Sequence, residues 1–264
     1  MIIFPEAKIN LGLRIVRKRP DGYHDLETCF TKIPLCDALE VLPSDRLLWE
    51  DDPDVPEDNL VIKAYRALHA VRGTDLPPVQ ILLRKRIPSG AGLGGGSSDA
   101  ISAIRLFNEL LTDKLTDEEL REIARSLGAD CPFFLKDTPQ YAEGIGDLLE
   151  PIELPIKGMR LTLVFPELFI STKEAFAGVT PREPSEHLKE TLKRPISEWK
   201  EHLKNDFEES LFPKYPELPR IKDLLYDAGA TYASMSGSGS TMFALSVLEL
   251  SLPKSYNIRH FRFE

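Results

Sequence analysis

Apolar residues alternate strictly from Ile9 to Ile15, with Ile9, Leu11, Leu13 and Ile15 on one face and Lys8, Asn10, Gly12 and Arg14 on the other. A period of two predicts a half-buried strand, and it sets Lys8 and Asn10 on the same side about 7 Å apart along the chain. The turn signal Pro20-Asp21-Gly22 follows, after which Leu26, Thr28 and Phe30 alternate again, so an antiparallel partner strand is expected. Val61 to Val71 reads as a helix and Val79 to Leu83 as a strand. That strand runs into Pro88-Ser89-Gly90-Ala91-Gly92-Leu93-Gly94-Gly95-Gly96-Ser97-Ser98-Asp99, after which Ile101, Ile104, Phe107 and Leu111 recur at helical spacing. The pattern is strand, glycine loop, helix.

Thr116-Asp117-Glu118-Glu119 fits a capping box opening another helix, and Gly128 stands where that helix would end, just before Asp130-Cys131-Pro132. Beyond Pro151 the pattern restarts with a strand at Arg160 to Phe165 and a capping-box signal from Ser171 to Glu174. Helical stretches follow at Ser197 to Leu211 and Leu218 to Asp227, and short strands flank Ser236-Gly237-Ser238-Gly239-Ser240. The proline-flanked run from Glu150 to Pro155 reads as a connector and divides the chain into domains at 1–150 and 151–264. No internal repeat or low-complexity tract is visible.

Composition narrows the partners. With 33 Lys and Arg against 42 Asp and Glu, the net charge of -9 repels nucleic acid and anionic membranes, so neither is an expected partner. Arg17-Lys18-Arg19 and Arg84-Lys85-Arg86 are local exceptions that read either as solvated surface or as attractors of a small polyphosphate. Cys29, Cys36 and Cys131 lack paired spacing, which points to reduced thiols and to no zinc site. The start Met1-Ile2-Ile3-Phe4-Pro5 has no leader pattern and no apolar run reaches spanning length, so a cytoplasmic location is expected. Oligomeric state is not set by any feature of the sequence.

The glycine loop carries the clearest chemistry. Five glycines between Gly90 and Gly96 let the backbone turn its N–H groups inward, and the following helix offers the positive end of its dipole, so an anion such as phosphate is the expected occupant. No Gly-Lys-Ser/Thr closes the loop, which excludes a Walker A site. Gly90, Gly92 and Gly95 also satisfy G-x-G-x-x-G, but the region about 20 residues on, Asp113-Lys114-Leu115-Thr116, leads into a helix. A dinucleotide-binding unit wants an acidic residue at the end of a strand there. Ser97, Ser98 and Asp99 suit either a helix cap or magnesium around a phosphate. Asp130, in a turn before Pro132, suits a general base or an ordinary cap, and Lys8 a site cation or a solvated lysine. Gly237 and Gly239 form a tight turn or a second wall against the phosphate loop.

Taken together these segments resemble the GHMP kinase family, which includes galactokinase, homoserine kinase and mevalonate kinase. The resemblance runs the length of the chain through Ala7-Lys8-Ile9-Asn10-Leu11, Arg19 to His24, Asp58-Asn59-Leu60-Val61, Pro88 to Asp99, Gly128 to Phe134 and Ser234 to Gly239. It implies an α+β fold in two domains, an N-terminal ATP-binding domain and a C-terminal ferredoxin-like domain with the active site between them, and transfer of the γ-phosphoryl group of ATP to a small-molecule alcohol. By the same resemblance Asp130 takes the hydroxyl proton, Lys8 keeps that carboxylate ionised, and Asn10 orients the hydroxyl. The loop from Pro88 and Ser89 through Gly90, Ala91, Gly92, Leu93, Gly94, Gly95, Gly96, Ser97 and Ser98 cradles the ATP phosphates with Mg2+, while Asn59 and Leu60 approach the adenine. Tyr23, His24, Thr172 and Phe176 are implied on the acceptor, with the aromatic three on a cytosine ring. Cys131 stands where a valine is expected, and Ser240-Thr241-Met242 departs from the usual run after the last glycine.

Overall fold

The computed structural model describes residues 1–50 and 59–264, so Asp58 of the Asp58 to Val61 stretch lies outside the described residues. The strands and helices of the first half are β1 (Ile2–Ile3), β2 (Glu6–Lys18), β3 (His24–Cys36), β4 (Ala38–Pro43), β5 (Leu48–Glu50), α1 (Leu60–Arg72), β6 (Val79–Arg84), α2 (Gly95–Leu110) and α3 (Asp117–Leu127). There follow β7 (Gln140–Glu143), β8 (Leu148–Pro151), β9 (Arg160–Phe165), α4 (Thr172–Gly178), α5 (Leu188–Leu192), α6 (Ile196–His202) and α7 (Phe207–Leu211). The last elements are α8 (Glu217–Asp227), β10 (Tyr232–Met235), β11 (Met242–Ser246) and β12 (Asn257–Arg262).

These elements form two compact units that interleave along the chain, so neither is bounded by a single cut such as one at Glu150. The first comprises Met1–Ala7, Leu35–Ser89 and Gly94–Asp137; the second comprises Lys8–Pro34, Gly90–Leu93 and Thr138–Glu264.

In the first unit the sheet runs β1-β4-β6-β5, with β4 antiparallel to β6 through Leu39↔Leu83 and Val41↔Ile81. All four of these side chains are buried, as are Leu68 of α1 and Ile101, Ile104 and Phe107 of α2. Burial of each such side chain contributes about 1.5–3 kcal/mol, and this term, rather than helix propensity, holds α2 in place behind its glycine-rich start. Tyr65 of α1 meets Phe107 edge-on at 5.5 Å. Thr116 and Glu119 form the expected capping box of α3. Gly128 caps the C-terminal end of α3 at φ 163°, an extended conformation open to any residue, so glycine's left-handed freedom is not what ends that helix.

In the second unit one sheet runs β2-β3-β7-β8 and the other β10-β11-β9-β12. β2 and β3 are neighbours joined through Arg19–Tyr23, too short a connection for parallel strands, so they form the expected hairpin. The alternation of β2 is real, but the half-buried expectation fails: Lys8 and Asn10 on the polar face are each 3% exposed, because that face lines a hydrogen-bonded cluster instead of solvent. β9, β10, β11 and β12 pair antiparallel in the strand order of a ferredoxin-like sheet, although the connection between β11 and β12 carries no helix.

The expected helix from Ser197 to Leu211 is broken into α6 and α7. Between them Leu13 of β2 donates its N–H to Lys204 O (2.9 Å) and accepts that of Asp206 (2.8 Å), which pulls the segment out of helical bonding. At α4 the Ser171 hydroxyl accepts the Glu174 N–H at 3.1 Å, but the Glu174 carboxylate takes the Tyr215 hydroxyl at 3.0 Å rather than closing the box. Leu13, Ile15, Phe207, Leu211, Leu218, Ile221, Met235 and Met242 share the core of this unit.

Candidate active site

In the second unit the polar face of β2 meets the first half of the glycine loop. The ammonium of Lys8 donates to Asn10 Oδ1 at 2.6 Å and to the Gly92 carbonyl at 3.2 Å, and lies 5.2 Å from the centre of the Phe30 ring. Asn10 Nδ2 donates in turn to Thr28 Oγ1 at 2.9 Å, whose hydroxyl donates to Gly12 O at 2.6 Å. Period-two spacing thus brings Lys8 and Asn10 together as expected.

The second glycine turn seats against the same loop. Ser236 Oγ donates to Gly92 O at 2.9 Å and accepts the Asn10 N–H at 3.3 Å. The Thr241 N–H reaches Ala91 O at 3.3 Å, and the Lys8 N–H reaches Leu93 O at 2.9 Å. Three consecutive loop carbonyls are therefore held by protein donors. The backbones approach so closely that a Cβ on Gly92, at φ +78°, would lie 2.0 Å from Ser236 O. Ala91 and Leu93 are buried.

At the turn end of the hairpin the Pro20-Asp21-Gly22 signal is closed by Gly22 N–H to Arg19 O at 3.1 Å and Arg19 N–H to Tyr23 O at 2.8 Å. His24 stacks on Phe176 at 5.0 Å with 26° between the rings, and Phe176 meets Phe207 edge-on at 4.9 Å. Burial, with help from the Lys18 charge, holds the His24 imidazole below its ordinary pKa. Tyr23, which precedes His24 in the chain, is 61% exposed, and Thr172 is exposed at the first turn of α4. Arg17 and Arg19 are paired with Asp25, and Arg19 also with Asp21, so these cations are matched within the turn and its flanking strands.

In the first unit the loop continues through Gly94, the N-cap of α2 at φ 67°, to a helix of 16 residues with no side-chain cap and no acid in its first turn. By contrast Asn59 caps α1, accepting Val61 N–H at 2.8 Å and Ile62 N–H at 3.2 Å. The side-chain oxygen of Asn59 thus caps a helix, a role the sequence did not reveal. Leu60 does reach the loop, its Cδ1 lying 3.6 Å from where a Cβ on Gly96 would stand. Pro88 and Ser89 are exposed and Ser98 is buried.

Asp130 is half-buried, directly preceding the tight turns Cys131–Leu135 that pack on α2. Burial first, then the Asp130 charge, pushes the Cys131 thiol up to about 11 against an opposing hydrogen bond from Ser97.

Of the cluster Arg84-Lys85-Arg86, the middle cation turns inward, contrary to a surface reading. The ammonium of Lys85 bonds Asp37, which is fully buried, and Asp99 Oδ2 at 2.6 Å. Burial pushes the Asp99 carboxyl up to about 7 although Lys85 opposes the shift, and its buried Oδ1 has no hydrogen-bond partner among the described residues. The sequence marked Lys85 only as part of a basic cluster and did not mark Asp37, which lies far from the loop in the chain with nothing local to distinguish it.

A kinase-type site needs an anion cradle, a cation and a base on a firm backbone, and the chain's relatives are of that class. The GHMP kinases N terminal domain matches residues 59–137 and the GHMP kinases C terminal domain residues 188–252, on either side of Glu150. A 4-diphosphocytidyl-2-C-methyl-D-erythritol kinase of Bacteroides fragilis is 52% identical over 96% of this chain and 95% of its own, and one of Cytophaga hutchinsonii is 44% identical over 93% and 92%. A crystal structure of 4-(cytidine 5'-diphospho)-2C-methyl-D-erythritol kinase superposes with a TM-score of 0.80 at 35% identity, covering 93% of this chain and 90% of that one. The mevalonate kinase of Methanococcus jannaschii shares the fold, with a TM-score of 0.70 at 15% identity over 100% and 98%. The chain belongs to the GHMP kinase family, and its fold is α+β as that resemblance implied.

Proposed function

We infer that this chain transfers the γ-phosphoryl group of ATP to the 2-hydroxyl of 4-diphosphocytidyl-2-C-methyl-D-erythritol, a step of the non-mevalonate isoprenoid pathway. The observation that carries the reading is the 52% identity, over nearly the whole of both chains, to a kinase named for that acceptor. The cluster of Lys8, Asn10 and Gly92 and the start of α2, which has no side-chain cap, support it.

The acceptor O–H attacks the γ-phosphorus, the bond to the β-phosphate oxygen breaks, and ADP leaves. Asp130 takes the hydroxyl proton, Asn10 orients the hydroxyl, and Lys8 offsets charge developing at the reacting oxygens. With carbonyls 91 to 93 engaged by protein donors, the loop offers N–H groups to the phosphates, continued by those of the first turn of α2. The donor set fits a nucleotide: no acid opens α2, and Ser97 and Ser98 in its first turn would hold Mg2+, which would supply charge neutralisation when bound. Asn59 and Leu60 flank the adenine, Leu60 through its place beside Gly96. His24 and Phe176, already stacked, and Tyr23 receive the cytosine ring, with Thr172 nearby.

Among the described residues no helix is long and apolar enough to cross a membrane. A cytoplasmic reaction without nucleic-acid or membrane partners agrees with the acidic net charge of -9. Transfer of labelled γ-phosphate tests the reading. 4-Diphosphocytidyl-2-C-methyl-D-erythritol should be phosphorylated far faster than 2-C-methylerythritol 4-phosphate, which lacks the base; equal kcat/KM for the two would overturn the acceptor assignment.

A further inference from the structure

Asn205 lies in the break between α6 and α7 and is 3% exposed. Its Nδ2 donates to Met235 O and Gly237 O, both at 2.8 Å, and its Oδ1 accepts the Phe207 N–H at 3.0 Å. Two carbonyls can only accept, so they fix which end of the carboxamide faces them. The backbone on either side is tied to β2 at Leu13, and the Asp206 carboxylate accepts the Ile15 N–H at 2.8 Å.

The two ends of this carboxamide lead to different parts of the site. On the donor side, Met235 and Gly237 bracket Ser236, whose hydroxyl bonds both Gly92 O and the Asn10 N–H. Gly92 O and Asn10 Oδ1 are in turn acceptors for the ammonium of Lys8. On the acceptor side, Phe207 supports Phe176, which stacks on His24.

We propose that Asn205 is a positioning residue for phosphoryl transfer, its two N–H bonds setting the Ser236 turn against Gly92 and thereby placing the ammonium of Lys8. The proposal rests on the functional reading above. Nothing in it requires Asn205 to touch a substrate.

Asn205→Asp separates the two ends, since it keeps an oxygen for the Phe207 N–H and removes both donors. With the protein shown folded by its Tm, kcat/KM for ATP should fall about tenfold or more while KM for the cytidine-bearing acceptor changes by less than about twofold. Burial between two carbonyls raises the pKa of the introduced carboxyl. Lowering the pH returns a proton and with it one donor, so variant activity relative to wild type should rise toward acid pH. A merely structural role would lower Tm and impair both substrates together, with a ratio flat in pH; that result, or wild-type kinetics at every pH, overturns the proposal. If Asn205→Asp does not fold, Ser236→Ala removes the next link and should show the same split between the two substrates; its absence overturns the proposal equally. If wild type transfers no phosphate to the acceptor, the functional reading fails instead. Calorimetry with ATP alone then decides, weaker binding by Asn205→Asp supporting the placement and equal binding refuting it.

Discussion

Gly92→Ala puts a methyl group where the two glycine turns touch. The new Cβ would lie 2.0 Å from Ser236 O and 3.2 Å from Gly239 N, both backbone atoms that cannot swing aside as a side-chain tip would. Contacts under 3.0 Å are essentially never tolerated, so one of the turns must move by about 1 Å. Movement on that scale breaks the Ser236 hydroxyl bond to Gly92 O at 2.9 Å and the Lys8 bond to the same oxygen at 3.2 Å. The neutral bond is worth about 1 kcal/mol and the charged one about 1.5–3 kcal/mol. Holding alanine at φ +78° adds about 1–2 kcal/mol. The total of about 3–6 kcal/mol is shared between fold stability and the site, and about 3 kcal/mol at the site alone is roughly a hundredfold. In a variant still folded at the assay temperature, kcat/KM for ATP should fall about a hundredfold, measured by coupled ADP release beside calorimetric ATP titration. Gly96→Ala gives the steric control for stability: among the described residues its methyl would meet only Leu60 Cδ1 at 3.6 Å, so its Tm should not drop. A Gly92→Ala protein with unchanged Tm and kcat/KM within about threefold of wild type would refute the close packing of the two turns.

Asp130→Asn should keep ATP affinity and lose about a hundredfold or more in kcat, because the amide cannot take the hydroxyl proton; near-normal turnover would remove the base assignment. Tyr23→Ala should raise the acceptor KM about tenfold, the worth of one stacked base, with ATP binding unchanged by calorimetry, and a wild-type acceptor KM would take Tyr23 out of the base site. Asp99 bears on pH: its carboxyl is at about 7 when folded against about 3.9 unfolded. The folded state holds a proton that the unfolded chain has lost between those values, so this group's contribution to stability falls as pH rises from about 4 to about 7 and is level above. Asp99→Asn should flatten that part of the urea-denaturation profile, and an unaltered slope would show that another group is responsible.

Much of the fold was legible because its signals are local. The alternation of β2, the capping box at Thr116 and the strand before Gly90 each depend on residues a few positions apart, and each formed where expected. Failures came where distant segments intervene. The Ser197 to Leu211 stretch has a helical pattern, but Leu13 of β2 claims its backbone near Asn205. The adjacent Asn205-Asp206 pair, whose side chains compete for backbone bonds, was the available warning. The polar face of β2 reads as solvent-facing until Ser236, far along the chain, is seen to bond Asn10. Lys85 looked like part of a basic surface patch because its partners, Asp37 and Asp99, carry no sequence relation to it. Lys8, Asn10 and the glycine loop were legible as candidates since motif and period coincide there, whereas a capping asparagine at Asn59 and a nucleotide-reading one look the same as letters.

The placement of β12 has a consequence for how the protein behaves in concentrated solution. This strand covers one side of β9, whose Leu161, Leu163 and Val164 are fully buried, and it forms the outer edge of its sheet. Without that cover β9 would present a row of open N–H and C=O groups flanked by aliphatic side chains, a template on which strands of other molecules assemble. β12 carries Arg259 and Arg262 at that edge instead, and cationic edges of this kind resist strand addition. Six residues with no part in the chemistry thus guard the chain against aggregation, and substitutions there would be felt in yield and shelf life before they were felt in turnover.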